Sequence, residues 1–234
     1  MSADEKEKKR LEKQKKRDKK YRDIVYKGAK RVYDRGLSQM GEGNVSVRVK
    51  RKNEMYITPS QNDYATMTPE DVVHIDFNGE HLSKGRRASS EFLLHKVLYE
   101  SRKKAKCAIH CHAKHAIMLA VAGKKLPLII EEMAFFIGGE VNVTDYAASG
   151  SVELGEKVIE AMGDANAVLI RNHGLFVCGR DMDTTVKVAL LVEKMAEVYL
   201  GALQLGSIDP LPPEKTKKWI DMFNALNRTA PRKK

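Results

Sequence analysis

The stretch CAIHCHAKHAIMLAVAG, residues 107–123, carries the pattern that decides the fold. Its first six residues predict a β-strand, and the apolar run that follows predicts a helix closed by Gly123. Farther along the chain, AVLIR (167–171) and LFVCG (175–179) predict two more strands, and residues 184–206 predict a long helix. Because strands and helices interleave in this way, the chain is expected to be an α/β protein that folds as a single domain.

The distribution of charge divides the chain into three segments. Residues 1–20 hold ten Lys or Arg against five Asp or Glu and lack an apolar face, so we expect a basic N-terminal extension that is flexible or helical. Residues 228–234 add four basic side chains, which leaves the rest of the chain with only +2 of the formal net charge of +11. Apolar residues recur at helical spacing from Tyr21 onward, and the last long helix is expected to end near Gly206, so we expect a folded domain over residues 21–206 and a C-terminal tail over residues 207–234. A nearly neutral body argues against nucleic acid as the main partner, with RNA binding through the basic ends as an alternative.

The composition favours a cytoplasmic protein. No apolar run approaches the roughly 18 residues needed to span a bilayer, and no apolar core follows the basic N-terminus, so neither a membrane anchor nor a signal peptide is expected. The three cysteines form no Cys-x-x-Cys pair and are odd in number, which argues against a disulfide framework and favours a reducing compartment.

His110 and His112 form a candidate metal site. Residues two apart on a strand point to the same face, so the two imidazoles would lie close together with Cys111 turned away from them. A lone His-x-His is weak evidence, because buried or surface histidines without a metal are the common alternative. The best third ligand is His173, which follows an apolar strand and precedes a glycine, whereas His115 is a weaker candidate. Three histidines would leave one coordination position open, as in catalytic metal sites.

The sequence also offers a proton acceptor and an anion pocket. Glu91, in the motif SSE, could act as a base, although an acidic residue favoured by a helix dipole is the alternative. Ser89 or Ser90 is expected to cap the helix that begins there. Together with GEGNVSVR (41–48) and TPSQ (58–61), this serine pair offers the hydroxyls and backbone N–H groups that cradle a phosphate. Spacing alone does not show that the three segments converge.

Five short motifs, GNVSVR, ITPS, SSE, His-x-His and NHG, occur in this order along the chain. In this order they resemble the motifs of the class II, metal-dependent aldolases and epimerases, and most of all the branch that cleaves L-fuculose phosphate. The resemblance covers about Tyr21 to Gly206. It implies a three-layer α/β/α fold with a central, largely antiparallel sheet. It also implies a homotetramer whose sites lie between subunits.

The resemblance further implies roles for individual residues. His110, His112 and His173 would hold Zn²⁺, with Mn²⁺ or Co²⁺ as other occupants, and Glu91 would stand beside the metal as a further ligand and proton shuttle. The substrate phosphate would be bound by Gly43, Asn44, Ser60, Gln61, Ser89 and Ser90. The implied reaction is the reversible cleavage of a ketose 1-phosphate, of the L-fuculose 1-phosphate type, to dihydroxyacetone phosphate and an aldehyde.

The chain departs from the fuculose-phosphate aldolase pattern at the general acid. Where those enzymes have a tyrosine, the matching segment LIIEEMAFF (128–136) has Glu132 and no tyrosine. A glutamate in such a segment resembles the methylthioribulose-phosphate dehydratases, so Glu132 is a candidate acid–base residue, and Tyr146 is a candidate substitute acid. Dehydratase, decarboxylase or 4-epimerase chemistry on a phosphorylated sugar or sugar acid therefore remains an alternative. A non-enzymatic module like the adducin head is another, although the retained histidines and Glu91 argue against it.

Overall fold

The computed structural model describes residues 2–227, and within them the chain forms seven α-helices and six strands. The helices are α1 (Ala3–Asp34), α2 (Phe92–Ser101), α3 (Lys114–Ala122), α4 (Glu131–Phe136), α5 (Val152–Met162), α6 (Met182–Gln204) and α7 (Pro213–Asn227). The strands are β1 (Asn44–Arg48), β2 (Glu54–Ile57), β3 (Val73–Asp76), β4 (Cys107–Cys111), β5 (Ala167–Ile170) and β6 (Gly174–Gly179). The predicted α/β class is confirmed.

The six strands form one sheet in the order β3-β2-β1-β4-β6-β5, and all neighbouring strands pair antiparallel. Helices α1, α3 and α6 cover one face, where Val25, Leu119 and Val186 belong to one core cluster. Helices α2 and α5 cover the other face, where Leu98 and Val158 belong to a second cluster. The prediction of a three-layer α/β/α fold around an antiparallel sheet is therefore confirmed.

Strand β4 lies in the middle of the sheet and positions the candidate site. Ile109 and Cys111 belong to the core cluster under α1, α3 and α6, whereas Ala108 belongs to the cluster under α2 and α5. Because side chains alternate along a strand, His110 points away from the face of Cys111, as predicted. His112 follows directly after the end of the strand.

Helix α1 includes almost all of the basic N-terminal extension. It begins with a capping box in which Ser2 and Glu5 bind each other's backbone N–H groups. The side chains of residues 4–16 are exposed, as their charge pattern leads one to expect. The helix is tied to strand β2 by a hydrogen bond of 2.9 Å from the Tyr56 hydroxyl to Asp18 Oδ1. The extension is thus a helical continuation of the element expected to begin near residue 21.

The segment after residue 206 folds back onto the domain. Helix α7 packs against α4, and the side chain of Phe223 in α7 is fully buried. A Cβ atom on Gly138 would lie 2.3 Å from Phe223 Cε1, so the ring can pack here only against a glycine. The basic residues 228–234 lie outside the described residues.

The composition predicted neither a membrane-spanning segment nor a disulfide framework. Within residues 2–227 no helix combines the length and apolar character needed to cross a bilayer. Cys107, Cys111 and Cys178 are buried and free.

Candidate functional site

Three histidines predicted from the sequence come together at one end of β4 and β6. His110 lies in β4, His112 follows that strand, and His173 lies in the turn between β5 and β6. The Nε2 atom of His110 is 3.2 Å from Nε2 of His173 and 3.2 Å from Nε2 of His112. One potential ligand atom from each ring lies within 4.8 Å of the others. His110 is buried and the other two rings are half-buried, so this histidine cluster is open on one side.

The geometry and protonation of these rings fit a divalent cation. His110 Nδ1 donates to the Leu175 carbonyl oxygen at 3.1 Å, which leaves the lone pair of Nε2 facing the other two imidazoles. Burial lowers the pKa of His110 to about 4 and also lowers the pKa of His112, so both rings are neutral at pH 7. Two nitrogens bound at about 2.05 Å to a tetrahedral zinc ion are about 3.3 Å apart. The observed separations of 3.2 Å match this requirement.

Glu91 lies beside the histidine cluster. Its Oε2 atom is 3.5 Å from His110 Nε2, and its Oε1 atom is 3.5 Å from His173 Nε2. Asn44 Nδ2 donates to Oε2 at 2.7 Å, and Ser149 Oγ donates to Oε1 at 2.6 Å. Burial alone would raise the pKa of Glu91, but the charge interaction with His110 and these hydrogen bonds lower it below its ordinary value. The side chain is therefore an ionised carboxylate held next to the imidazole nitrogens.

The position of Glu91 corrects one expectation about helix α2. Neither Ser89 nor Ser90 caps this helix, because Glu91 itself is the N-cap residue and its side chain makes no capping bond. Instead, Ser89 Oγ accepts the backbone N–H of Glu91 at 3.3 Å. The Glu91 carboxylate, which makes no capping bond, accepts hydrogen bonds from Asn44 and Ser149 beside the histidine cluster.

The three segments predicted to bind phosphate converge on one cleft of about 320 Å³, which Glu91 also lines. All six predicted residues lie in its walls: Gly43, Asn44, Ser60, Gln61, Ser89 and Ser90. The segments are joined by backbone hydrogen bonds, from Ser60 N to Arg87 O at 2.9 Å and from Ser89 N to Thr58 O at 3.2 Å. Among the described residues, the lining includes no Lys or Arg. An anion here would thus be held by hydroxyl, amide and backbone N–H groups.

Two glycines allow the first of these segments to run close to its neighbours. Gly41 and Gly43 have φ angles of +80° and +73°. A Cβ atom would lie 2.5 Å from the Asn62 carbonyl oxygen at Gly41 and 2.4 Å from the His110 carbonyl oxygen at Gly43. Tyr64 fixes the loop from the other side, because its hydroxyl donates to the Gly43 carbonyl oxygen at 2.9 Å. The cleft therefore depends on glycine at both positions.

Three other candidate residues are not part of this arrangement. His115 pairs instead with Glu193, its Nδ1 lying 2.8 Å from Oε1, and the same carboxylate accepts backbone N–H groups at the start of α3. Glu132, near the start of α4, and Tyr146, in the loop before α5, both have exposed side chains. Within residues 2–227 no hydrogen bond or ion pair connects either side chain to the histidine cluster.

Ser149 and Tyr64 belong to the site although the sequence did not indicate them. Ser149 lies in AASGS, 58 positions after the glutamate that it contacts. A small polar residue in a loop carries no periodic signal, and the contact exists only because the loop folds over the start of α2. Tyr64 is fully buried, but nothing in its local sequence distinguishes it from a core tyrosine.

Known proteins similar to this chain point to one family. Residues 24–200 match the sequence profile described as Class II Aldolase and Adducin N-terminal domain. The L-fuculose phosphate aldolase of Escherichia coli K12 is 35% identical over 177 residues, which are 76% of this chain and 80% of that protein. The 5-methylthioribulose-1-phosphate/5-deoxyribulose-1-phosphate aldolase of Rhodospirillum rubrum is 31% identical over 202 residues, 86% of this chain and 90% of that protein.

A solved structure shows the same relationship. A protein described as L-fuculose 1-phosphate aldolase superimposes with a TM-score of 0.83 at 30% identity, covering 88% of this chain and 96% of its own. The resemblance predicted from the five motifs is confirmed, and so is the prediction of a class II aldolase at the level of the family. The chain belongs to the class II aldolase family.

Proposed function

We propose that this protein is a metal-dependent aldolase that cleaves a ketose 1-phosphate reversibly to dihydroxyacetone phosphate and an aldehyde. The observation that carries the proposal is the location of an ionised carboxylate 3.5 Å from two nitrogens of the histidine cluster and in the wall of the cleft. The relatives described above are named for substrates that are all ketose 1-phosphates. This shared chemistry supports the substrate class rather than one particular sugar.

In this proposal His110, His112 and His173 hold the cation. Zn²⁺ is the proposed ion, because three imidazoles with an open position are typical of catalytic zinc sites, and Mn²⁺ or Co²⁺ could take its place. When bound, the cation would supply Lewis-acid stabilisation of the negative charge that develops on the substrate's carbonyl oxygen. The cleft next to Glu91 would orient the substrate through its phosphate group.

Cleavage requires two proton transfers. The hydroxyl on the carbon that becomes the aldehyde loses its proton to a base, and the electrons of the broken carbon–carbon bond remain with the phosphorylated half. That half then takes up a proton at carbon. Glu91 is the proposed carrier of this second proton, because its carboxylate lies beside the cluster and is oriented by hydrogen bonds on both oxygens. As an ionised carboxylate it removes the proton from carbon in the direction of condensation, and in cleavage it first takes up a proton from the solvent and passes it to carbon.

Glu132 is the proposed partner in the first transfer, acting from a neighbouring subunit of a homotetramer. Its side chain is exposed at the start of α4, and the histidine cluster is open on one side. A carboxylate on another copy of the chain could therefore complete the site.

A substrate panel tests the activity. Purified protein loaded with Zn²⁺ is incubated with L-fuculose 1-phosphate, 5-deoxyribulose 1-phosphate and 5-methylthioribulose 1-phosphate, and dihydroxyacetone phosphate is measured. Release of dihydroxyacetone phosphate from at least one of them is expected. Loss of water without cleavage would refute the aldolase proposal in favour of the dehydratase alternative.

A mixing experiment tests the role of Glu132. The variants Glu132→Gln and His112→Ala are each expected to be inactive, whereas co-expressed oligomers of the two should regain activity, since some sites then combine an intact cluster with an intact Glu132. Glu131→Gln is the matched control, because it changes the neighbouring carboxylate of the same helix. If the mixed oligomers stay inactive, Glu132 does not act across an interface.

A further inference from the structure

A line of buried hydrogen bonds leads from Glu91 into the core under α2. Asn44 Nδ2 donates to Glu91 Oε2 at 2.7 Å, and Asn44 Oδ1 is hydrogen-bonded to His95 Nε2. His95 Nδ1 lies 2.6 Å from Ser46 Oγ, and that oxygen lies 2.7 Å from the Tyr99 hydroxyl. Asn44 is 1% exposed, and the three residues behind it are fully buried. Water therefore does not compete for these bonds.

The orientation of the Asn44 amide sets the direction of every bond in this line. Its nitrogen faces Glu91 and its oxygen faces His95, and an amide oxygen can only accept a hydrogen bond. The hydrogen of His95 must then be on Nε2, which leaves Nδ1 to accept from the Ser46 hydroxyl. Ser46 in turn accepts from Tyr99. All donors point toward the carboxylate, and aligned bonds of this kind strengthen one another.

His95 is suited to this role because it remains uncharged. Complete burial lowers its pKa to about 3, so the ring is neutral at physiological pH. The edge of the ring packs against Phe176, with 5.3 Å between ring centroids, which holds its plane. Burial also raises the pKa of Tyr99, so the far end of the line keeps its hydrogen.

We propose that His95 is a positioning residue: its Nε2–H group fixes the Asn44 amide so that Nδ2, and not Oδ1, faces Glu91. With the amide reversed, two oxygen atoms would face each other and the carboxylate would be repelled from its place beside the histidine cluster. Within residues 2–227, His95 makes no hydrogen bond to the histidine cluster and does not line the cleft, so it acts through Asn44. This inference rests on the proposed function, because it concerns the proton transfer proposed for Glu91.

Kinetics of paired variants test the proposal. His95→Leu removes the donor, and we expect a loss in kcat of about 10- to 100-fold, the range for groups that orient functional side chains. The KM and the bound metal should change little, since the cleft and the cluster are intact. His95→Gln can still donate a hydrogen bond to Asn44 and should recover most of the loss. His74→Leu, at a buried histidine of β3 distant from the cluster, is the control and should keep the wild-type kcat.

Two kinetic results would overturn the proposal. One is a wild-type kcat in folded His95→Leu, and the other is a kcat of His95→Gln no better than that of His95→Leu. If His95→Leu does not fold, Tyr99→Phe removes the far donor in a milder way, and it should lower kcat by a smaller factor with unchanged KM.

A spectroscopic measurement tests the proposal without any substrate. The ¹⁵N chemical shifts of the His95 ring, identified by their absence in His95→Gln, should show hydrogen on Nε2 and a lone pair on Nδ1 from pH 6 to pH 8. Hydrogen on Nδ1, or a charged ring, would overturn the proposal whatever the substrate. The expected tautomer in a protein that cleaves no ketose 1-phosphate would instead contradict the proposed function and leave the positioning intact.

Discussion

His74 in the outer strand β3 and His110 in the central strand β4 each face a carboxylate, but in different ways. His74 Nε2 is 3.0 Å from Glu54 Oε2, and its ring stacks on Tyr56 with 4.1 Å between centroids. His110 Nε2 is 3.5 Å from Glu91 Oε2 and 3.2 Å from the nitrogens of two other imidazoles. The ring of His74 thus faces a single carboxylate, whereas Nε2 of His110 faces the nitrogens of two other imidazoles as well as a carboxylate.

The comparison shows which observation distinguishes a histidine in a structural ion pair from one proposed to bind a metal. Burial lowers the pKa of His74 as well as that of His110, so a shifted pKa does not distinguish the two. A neighbouring carboxylate does not distinguish them either. The difference is the convergence of one nitrogen from each of three imidazoles on one point, an arrangement typical of metal sites.

The largest effect is expected from removing one nitrogen of the cluster. His112→Ala should reduce both bound metal and turnover to background, because two imidazoles hold the ion too weakly. His74→Ala should keep both and lose only about 1–3 kcal/mol of the free energy of unfolding, the usual effect of leaving a buried partner unsatisfied. Elemental analysis of protein purified without chelators and release of dihydroxyacetone phosphate measure these effects. Metal at the wild-type level in His112→Ala would remove this residue from the ligand set.

A smaller effect is expected from neutralising the carboxylate beside His110, and none is expected from neutralising the carboxylate beside His74. Glu91→Gln should retain the metal but lose about 10²- to 10⁴-fold in turnover, the usual contribution of a general acid or base. Glu54→Gln, the matched change at the outer histidine, should leave turnover unchanged. Steady-state kinetics with the metal-loaded proteins measure the contrast. Equal activity of the two variants would mean that Glu91 transfers no proton.

Lowering the pH should decrease the stability of the metal-free protein through His110. The pKa of His110 is about 4 in the folded protein against an ordinary value of 6.5, so between these values the unfolded chain binds a proton that the folded chain does not. The free energy of unfolding of metal-free protein should therefore fall as the pH falls from 6.5 toward 4. Bound metal should be released over the same range, because protons compete for its ligands. Denaturant titrations at several pH values measure the slope, and a folded His110→Gln variant should show a weaker one.

The smallest effect is expected at Tyr146. Its side chain is 67% exposed and lies in the loop that carries Ser149. Tyr146→Phe should leave turnover nearly unchanged and alter the free energy of unfolding by less than about 0.5 kcal/mol, as is usual for surface positions. A loss comparable to that of Glu132→Gln would instead identify Tyr146 as the missing acid.

Features governed by local periodicity were predictable from the sequence. The strand pattern of CAIHCH places His110 and His112 on one face because side chains alternate along a strand. The position of His173 after an apolar strand suggested a third nitrogen, but its meeting with the other two depends on the pairing of β4 with β6. That pairing joins residues far apart in the chain. The sequence motifs could therefore suggest that the three histidines meet, but they could not establish it.

Features governed by distant contacts were not predictable. The serine pair before α2 has the composition of a helix cap, yet Glu91 takes the cap position because the loop of Ser149 and the side chain of Asn44 hold its carboxylate. The seven residues of DYAASGS (145–151) give no sign of this contact. Similarly, residues 207–234 were expected to form a tail, and only the tertiary structure shows that α7 returns to α4.

The packing of Phe223 in α7 over Gly138, just after α4, links the C-terminal helix to the orientation of α4. Helix α4 has six residues, too few to be stable alone, so its orientation depends on the later helix that packs against it. Shortening the chain before Pro213 would leave the histidine cluster in place at the ends of β4 and β6 but free the helix that carries Glu132. Changes at the C-terminus are thus expected to alter the rate of turnover while the metal content stays the same, and a bulky C-terminal fusion is best avoided in assays of this protein.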